Sequence, residues 1–559
     1  MSHTPPQHRA AHTVFILGLD GATWDLLNPA IRQGLLPRLG QLVQEGTQGQ
    51  LASTVPPITP AAWTTFLTGQ SPGRHGIVDF VRYDPAARRL QLNNSRQIRV
   101  PSLWQIASDA GLGVVSLLVP MCYPPYQVRG VMVSGLGTPG THVPFVYPPE
   151  AQADLLKALP DFQIHHAWHR SRYGTDDATF TANMHHAAGS FTQTAELLEW
   201  ATRKTSWRLG MAVLKLVDDV SHKAWPELSA LAQGPPGDQA LSPARRQACI
   251  HFWQTLDHAI GRMIDHVRDL DPAAAVFIMS DHGHGELRRK VYVNALLEQG
   301  GFLRQQNRLA RAWAHTRDQL SRWTLRKGRF NRGSPTFARD IALNWPASKA
   351  ACLHAEIDAC IYINLRGREG PDAGCVDPQD YEPTRDAVRR FLLEARDDRG
   401  EPLFSEVHRA EVLYGCPLHT PGIPDLLACP PPGSVAVRKL RGGRTVRHGD
   451  AHRFGGTHRR EGVFVAHGPA FRAAGRLDAR MIDLPPTILG LMGIPIPAAM
   501  QGDFLSDCLL QPYMPDRQPA DASPGAQPPQ AAAGSNQQAY TPEEEAEIAR
   551  RLEDLGYLE

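Results

Sequence analysis

The sequence predicts an α/β protein, a three-layer sandwich with a mostly parallel central sheet and helices on both faces. Three observations predict it. Short apolar runs rich in β-branched residues recur along the chain, each bounded by turn residues or charge. Segments of helical periodicity separate them, the pattern of a sheet wound with crossover helices. Acidic residues and histidines stand just past several of the runs, where open parallel sheets carry their chemistry. The expected strands are Thr13 to Leu19, Gly113 to Val119, Met211 to Val217, Ala274 to Met279 and Gly462 to Ala466. The expected helices include Leu35 to Glu45, Ser102 to Ala110 and Arg245 to Arg268.

A chain of 559 residues suits one large catalytic domain with insertions, or two to three domains. We expect a catalytic domain over 12–510, a flexible linker over 511–540 and a C-terminal helix over 541–559. Within the first, about 303–345 is rich in Arg, Lys, Gln and Trp and reads as a cap insertion or a solvated excursion. The linker is assigned from its Pro, Ala, Gln, Ser and Gly content. In the tail, Thr541 is placed as N-cap, Pro542 as first helical residue and Glu544 as capping-box partner.

Hydrophobic residues make up 42% and charged residues 20% of the chain, enough apolar surface for a sizeable core. The net charge of +2 demands neither a nucleic acid polymer nor an anionic membrane, so a small substrate is expected. The opening residues do not read as a secretory signal, and no run approaches the roughly 18–20 apolar residues of a membrane span. The eight cysteines are scattered without a C-x-x-C pair. That argues against a zinc ribbon or redox motif and leads us to expect a reducing cytoplasm.

The chemistry concentrates in a few positions. Asp20 follows VFILGL, Asp218 follows MAVLKLV with His222 four residues on, Asp281 and His282 follow AVFIMS, and His458 precedes GVFVA. Singly, each has a plain reading: an Asp after a strand is often a helix N-cap, and a lone His is usually a satisfied structural residue. Jointly, three Asp and three His converge on one edge of the predicted sheet. Mixed carboxylate and imidazole donors suit zinc, with manganese as the harder alternative. Six are too many for one tetrahedral ion but right for two ions about 4 Å apart that bridge a phosphate. Thr59, at a turn ahead of a helical run, supplies a hydroxyl that a metal activates as nucleophile. Its plain reading is a helix N-cap followed by Pro60.

This order of residues resembles the alkaline phosphatase superfamily, most of all its branch of type I phosphodiesterases and nucleotide pyrophosphatases. Supporting segments are T-G-Q-S-P-G-R-H-G-I at 68–77, I-N-L-R-G-R-E at 363–369, D-L-P-P-T-I-L at 483–489 and the closing D-L-G-Y-L-E. The resemblance runs from about Val14 to Leu505. It implies one ion held by Asp218, His222 and His458, and another held by Asp20, Asp281, His282 and the Thr59 oxygen. It further implies in-line attack by Thr59, a phosphothreonine intermediate and overall retention at phosphorus.

The chain departs from the animal enzymes at Ala62, where they carry an Asn that contacts a phosphoryl oxygen. The contact is then expected from a backbone N–H after Thr59. His284 reads either as a neighbour of the metal ligands or as the partner of a loop carbonyl. Arg74 and His75 read as structural ahead of substrate-contacting, His448 and His452 as rim residues, and Asp483 as an N-cap.

Threonine cannot become the formylglycine of a sulfatase. A phosphoethanolamine transferase would carry membrane spans, and a cofactor-independent phosphoglycerate mutase would use serine and a different motif order. A phosphomonoesterase with the same site is the enzymatic alternative. A catalytically idle phosphate-binding or scaffold protein is the other alternative, against which the complete ligand set argues. The natural substrate, substrate-binding residues and oligomeric state are not legible.

Overall fold

The computed structural model describes residues 13–86, 88–165, 176–233, 241–306, 343–371, 373–440, 443–449, 455–519 and 539–555. Most of the expected cap insertion, most of the expected linker, His452 and the last four residues lie outside them. The described residues form two compact units. One is drawn from Met1–Ser71, Asn94–His284 and His458–Ser535, the other from Pro72–Asn93, Gly285–Thr457 and Asn536–Glu559.

The first unit is built on a ten-stranded sheet. Its spatial order is Gly475–Arg476, Thr47–Ala52, Glu461–His467, Ala275–Met279, Val14–Leu19, Trp207–Leu214, Gly113–Val119, Gly130–Ser134 and Val146–Tyr147, with Ala479–Arg480 also pairing Thr47–Ala52. From Ala275–Met279 to Gly130–Ser134 all neighbours run parallel. Central parallel strands are covered on both faces, which is why VFILGL and AVFIM are apolar throughout and buried at every residue.

The pleat sends alternate residues to opposite sides. On one side Ile16, Met211, Val213, Phe277, Met279 and Phe464 join a core with Trp63, Phe66, Leu103, Trp104 and Ile488. These last come from helices Thr59–Thr68, Leu103–Asp109 and Leu484–Leu491, which also touch one another. Helices Trp24–Arg32, Pro37–Glu45, Asp177–Thr202, Leu216–Gln233 and Pro243–Leu270 pack together as a separate layer. That layer reaches the sheet through Pro37–Glu45 and Asp177–Thr202. The expected mostly parallel three-layer arrangement is therefore the one observed. Each large apolar side chain taken from water contributes about 1.5–3 kcal/mol.

Local chemistry sets the boundaries. Ser102 accepts from the Gln105 amide, and Gln105 returns a side-chain bond, a capping box that opens Leu103–Asp109. Ser242 accepts from the Arg245 amide and Pro243 takes the first helical position at the start of Pro243–Leu270. The strand expected over Met211 to Val217 is shifted: it spans Trp207–Leu214, and a helix starts at Leu216. Asp218 thus lies in the first turn of a helix, one turn before His222, so that both face the same way. The pattern LKLV is apolar at both periods, and Lys215 marks where the strand ends.

The second unit contains a four-stranded sheet, Ala350–Ala355, Ala359–Ile363, Leu426–Cys429 and Glu406–Arg409, and a three-stranded one, Ser434–Val437, Arg289–Tyr292 and Val446–His448. The 363–369 segment is structural here. Arg368 grips Asp425 with both amino groups at 2.6 and 2.8 Å, and Glu369 accepts from Trp345 at 2.5 Å and from Tyr83. In the same unit His75 is buried, Arg74 is exposed, and His448 pairs with Asp398 at 3.0 Å. Thr541 and Glu544 exchange bonds at the start of the helix Pro542–Leu555. No described helix is long and apolar enough to cross a membrane, and all eight cysteines are free thiols.

Candidate metal centre

The sheet brings the selected residues to one edge. Asp20 follows Val14–Leu19, and Asp281 and His282 follow Ala275–Met279, so these three stand at the carboxyl ends of parallel strands. His458 lies in the short strand Gly456–Arg459 just ahead of Glu461–His467, and reaches the same edge because Glu461–His467 runs antiparallel to both neighbours. Thr59 arrives by the loop after Thr47–Ala52, whose Ser53 amide donates to the Arg460 carbonyl at 2.8 Å. Thr59 is the first helical residue and Ile58 the N-cap; no side chain caps this helix. The N-cap reading of Thr59 fails on that geometry. Asp20 is not a cap either, since Thr23 takes that position for the next helix.

The donor atoms meet. Asp218 Oδ1 lies 3.5 Å from His222 Nε2 and 3.3 Å from the Nε2 atoms of His458 and His284. His282 Nε2 lies 3.3 Å from Asp281 Oδ2, 3.9 Å from Asp20 Oδ1 and 3.5 Å from Thr59 Oγ1. Two groups with metal-ligand spacing result, Asp218–His222–His284–His458 and Asp20–Asp218–His282, and Asp218 belongs to both. Apart from the partly exposed His222, these side chains are buried.

The tautomers decide what such a cluster wants. His458, His284 and His282 each turn Nδ1 to a backbone carbonyl, that of Pro57 at 2.9 Å, Gly21 at 2.9 Å and Gly283 at 3.2 Å. A carbonyl only accepts, so Nδ1 carries the hydrogen and Nε2 is left with its lone pair. Those lone pairs face carboxyl oxygens, which also only accept once they are ionised. Asp20 Oδ1 and Asp281 Oδ2, both fully buried, take no hydrogen bond among the described residues. Acceptors turned on acceptors need a cation between them, so the donor set fits divalent metal.

Three residues outside the sequence reading complete the arrangement. Trp63 Nε1 donates to Asp20 Oδ2 at 2.9 Å. Its ring lies so close to Gly18 that a Cβ there would stand 2.6 Å from it. Lys215 reaches Asp218, Asp219 at 2.8 Å and Asp20 at 3.9 Å. A lone lysine at the end of an apolar run was the available signal for the last. Trp63 was hidden in a helix that is buried all round, threonines included, and so shows no distinctive face. Because Trp63 supports the candidate ligand Asp20 from behind, Trp63→Phe is expected to weaken metal binding by about 10–100-fold. Titration against a chromophoric chelator checks this, and unchanged affinity would refute it.

Protonation follows from burial and crowding. Burial pushes Asp20 up to about 8, with Asp218 and Asp219 adding repulsion and Lys215 opposing it. Burial, then Asp20 and Asp218, lift Asp281 well above the carboxylate range. Burial also raises Asp218, but the Lys215 ammonium and neighbouring imidazoles override it and hold Asp218 well below that range. Burial holds His222 and His282 well below the usual imidazole range and takes His284 down to about 3.

The sign of the pH effect follows. Between about 4 and 8 the folded, metal-free chain keeps a proton on Asp20 that the unfolded chain has released. The stability this gives is complete below the unfolded value and is lost as pH rises through about 8. A metal ion bound there would displace that proton, so binding would release protons and tighten with pH. The rise in Tm on adding zinc should therefore be larger near pH 8 than near pH 5.5; an equal rise at both would contradict this reading.

The amide expected to replace the missing Asn is narrowed. Pro60 has no N–H, and Ala62 donates its own to Ile58 at 3.0 Å, which turns attention to Ala61. The 483–489 segment forms the helix Leu484–Leu491 against the Thr59 helix. Asp483 stands at the N-cap position of Leu484–Leu491, as expected, but its carboxylate accepts from Arg480 and from the Asp503 amide.

Residues 14–459 match the type I phosphodiesterase / nucleotide pyrophosphatase family. No curated protein matches the chain. Similar solved structures include human ectonucleotide pyrophosphatase / phosphodiesterase 5, at 16% identity over 89% of this chain and 100% of that one, TM-score 0.47. An inactive murine form of that protein in complex with AMP aligns at 15% identity over 89% and 100%, TM-score 0.47. Phosphonoacetate hydrolase from Sinorhizobium meliloti 1021, in complex with phosphonoacetate, aligns at 16% identity over 85% and 95%, TM-score 0.49. The chain belongs to the type I phosphodiesterase / nucleotide pyrophosphatase family.

Proposed function

We propose that this protein hydrolyses phosphodiester or nucleotide pyrophosphate bonds of small substrates with the help of two divalent ions, zinc or manganese. The observation that carries the reading is the set of imidazole lone pairs turned on buried carboxylate oxygens at 3.3–3.9 Å, with the Thr59 hydroxyl 3.5 Å from one of them. Asp218, His222 and His458 would hold one ion, and Asp20, Asp281, His282 and Thr59 Oγ1 the other. Bound there, the ions supply positive charge to the phosphate and lower the pKa of the Thr59 hydroxyl.

The chain's own residues do the rest. Trp63 and the Gly21 amide, the latter at 3.1 Å from Asp281 Oδ1, hold Asp20 and Asp281 in place. Thr59 Oγ1 attacks phosphorus, the leaving oxygen departs opposite, and a phosphothreonine remains. Water then cleaves it by a second in-line attack, and two inversions give net retention. Family membership supports ester hydrolysis, and the near-neutral charge of the chain supports a small substrate rather than a nucleic acid polymer. A cytoplasmic setting remains part of the proposal.

The test is to purify the protein, measure bound zinc and manganese, and assay aryl phosphodiester and monoester substrates side by side. Two ions per chain and faster diester hydrolysis are expected. A faster monoester reaction would move the assignment to a phosphomonoesterase, and metal-free protein without turnover would leave a binding role.

A further inference from the structure

The ligand set implied by the family resemblance leaves out His284, which lies two residues beyond His282 and is fully buried. Its Nδ1 donates to the Gly21 carbonyl, as the loop reading requires. A histidine serving only that carbonyl has no reason to press its other nitrogen on a carboxylate acceptor. Yet Nε2 stands 3.3 Å from Asp218 Oδ1 and makes no hydrogen bond among the described residues.

The distances suit coordination. Donors about 2.0–2.1 Å from a tetrahedral zinc lie about 3.3–3.4 Å from one another. From Asp218 Oδ1 the three edges to His284, His458 and His222 are 3.3, 3.3 and 3.5 Å. The His222–His458 edge is shorter, at 2.8 Å. Gly21 makes the approach possible: a Cβ there would come within 2.7 Å of the His284 ring and 2.8 Å of Asp218 Oδ1, and φ is +67°.

We propose that His284 is a fourth protein ligand to the ion bound by Asp218, His222 and His458, an inference that rests on the two-ion reading above. Four protein donors fill a tetrahedral ion, as in structural zinc sites, and leave it no open position. That ion is held tightly and exchanges slowly. Open coordination beside Thr59 then belongs to the group of Asp20, Asp281 and His282.

The experiment loads the full-length protein with cobalt(II) and follows spectra and affinity rather than turnover. Wild type should bind two ions, show the intense visible bands of four-coordinate cobalt, and lose one ion to EDTA much more slowly than the other. His284→Ala should still bind two, one of them about 100-fold more weakly or worse. His284→Cys should add a thiolate-to-cobalt charge-transfer band in the near ultraviolet. Unchanged affinities in His284→Ala, or no such band in a folded His284→Cys, would overturn the fourth ligand while leaving the two-ion centre intact. Wild type that binds no ion would overturn both. Weak, five- or six-coordinate bands with fast loss of both ions from wild type would overturn the closed site without recourse to a variant.

Discussion

Thr59→Ala should lower kcat on an aryl phosphodiester by about 10³-fold or more while the protein keeps its fold and both metal ions. The structure separates this from a folding effect. Ile58, not Thr59, occupies the N-cap position, and no side chain caps the helix, so the substitution removes no cap. A cap would have cost about 0.5–2 kcal/mol on replacement by alanine; here Tm should barely move. Thr59 is fully buried and 3.5 Å from His282 Nε2, so the hydroxyl faces the donor cluster. Thr59→Ser keeps the oxygen and should keep measurable turnover. Isolation of a phosphorylated Thr59 after rapid quenching would support the covalent step. Full activity in Thr59→Ala would end the nucleophile assignment.

Asp218→Asn has the second large effect, of a different kind. Asp218 is the one residue shared by both donor groups, with Oδ1 among three imidazole nitrogens and Oδ2 on Lys215. Removing one partner of a buried charge pair costs about 3–5 kcal/mol, which at about 1.4 kcal/mol per factor of ten is near 10³ in metal affinity. Metal content should fall, turnover with it, and the zinc-dependent rise in Tm should largely vanish. In EDTA the order changes. Asp218 is one of the charges that raise Asp20 and Asp281, so its neutralisation should bring both back toward the ordinary carboxylate range. Carbon-detected NMR titration of the carboxyl groups reads this shift. Variant protein that keeps both ions at wild-type affinity would refute the ligand role of Asp218.

The ends of the buried strands were readable because apolar runs must stop where the sheet meets water. VFILGL stops at Asp20 and AVFIM just before Ser280 and Asp281. The Ser102 and Thr541 helix starts were readable because capping is local, a side chain answering amides three residues away. Lys215 was passed over because MAVLKLV fits a strand or a helix equally, and only the packed sheet places the break at Leu214. The division into two compact units, which interleaves three stretches of chain in each, has no local signature at all.

The sequence by itself determined the identity of the chemistry: three carboxylates, three imidazoles and one hydroxyl, each tied to the edge of an element whose apolar pattern is local. Tertiary structure alone decided their arrangement. It set the antiparallel strand that carries His458 back to the common edge, the sharing of Asp218, and the place of His284 beside it. Period and capping act over a few residues, whereas the His222–His458 and His284–Gly21 contacts join positions 236 and 263 apart, whose meeting is fixed by how the sheet is wound.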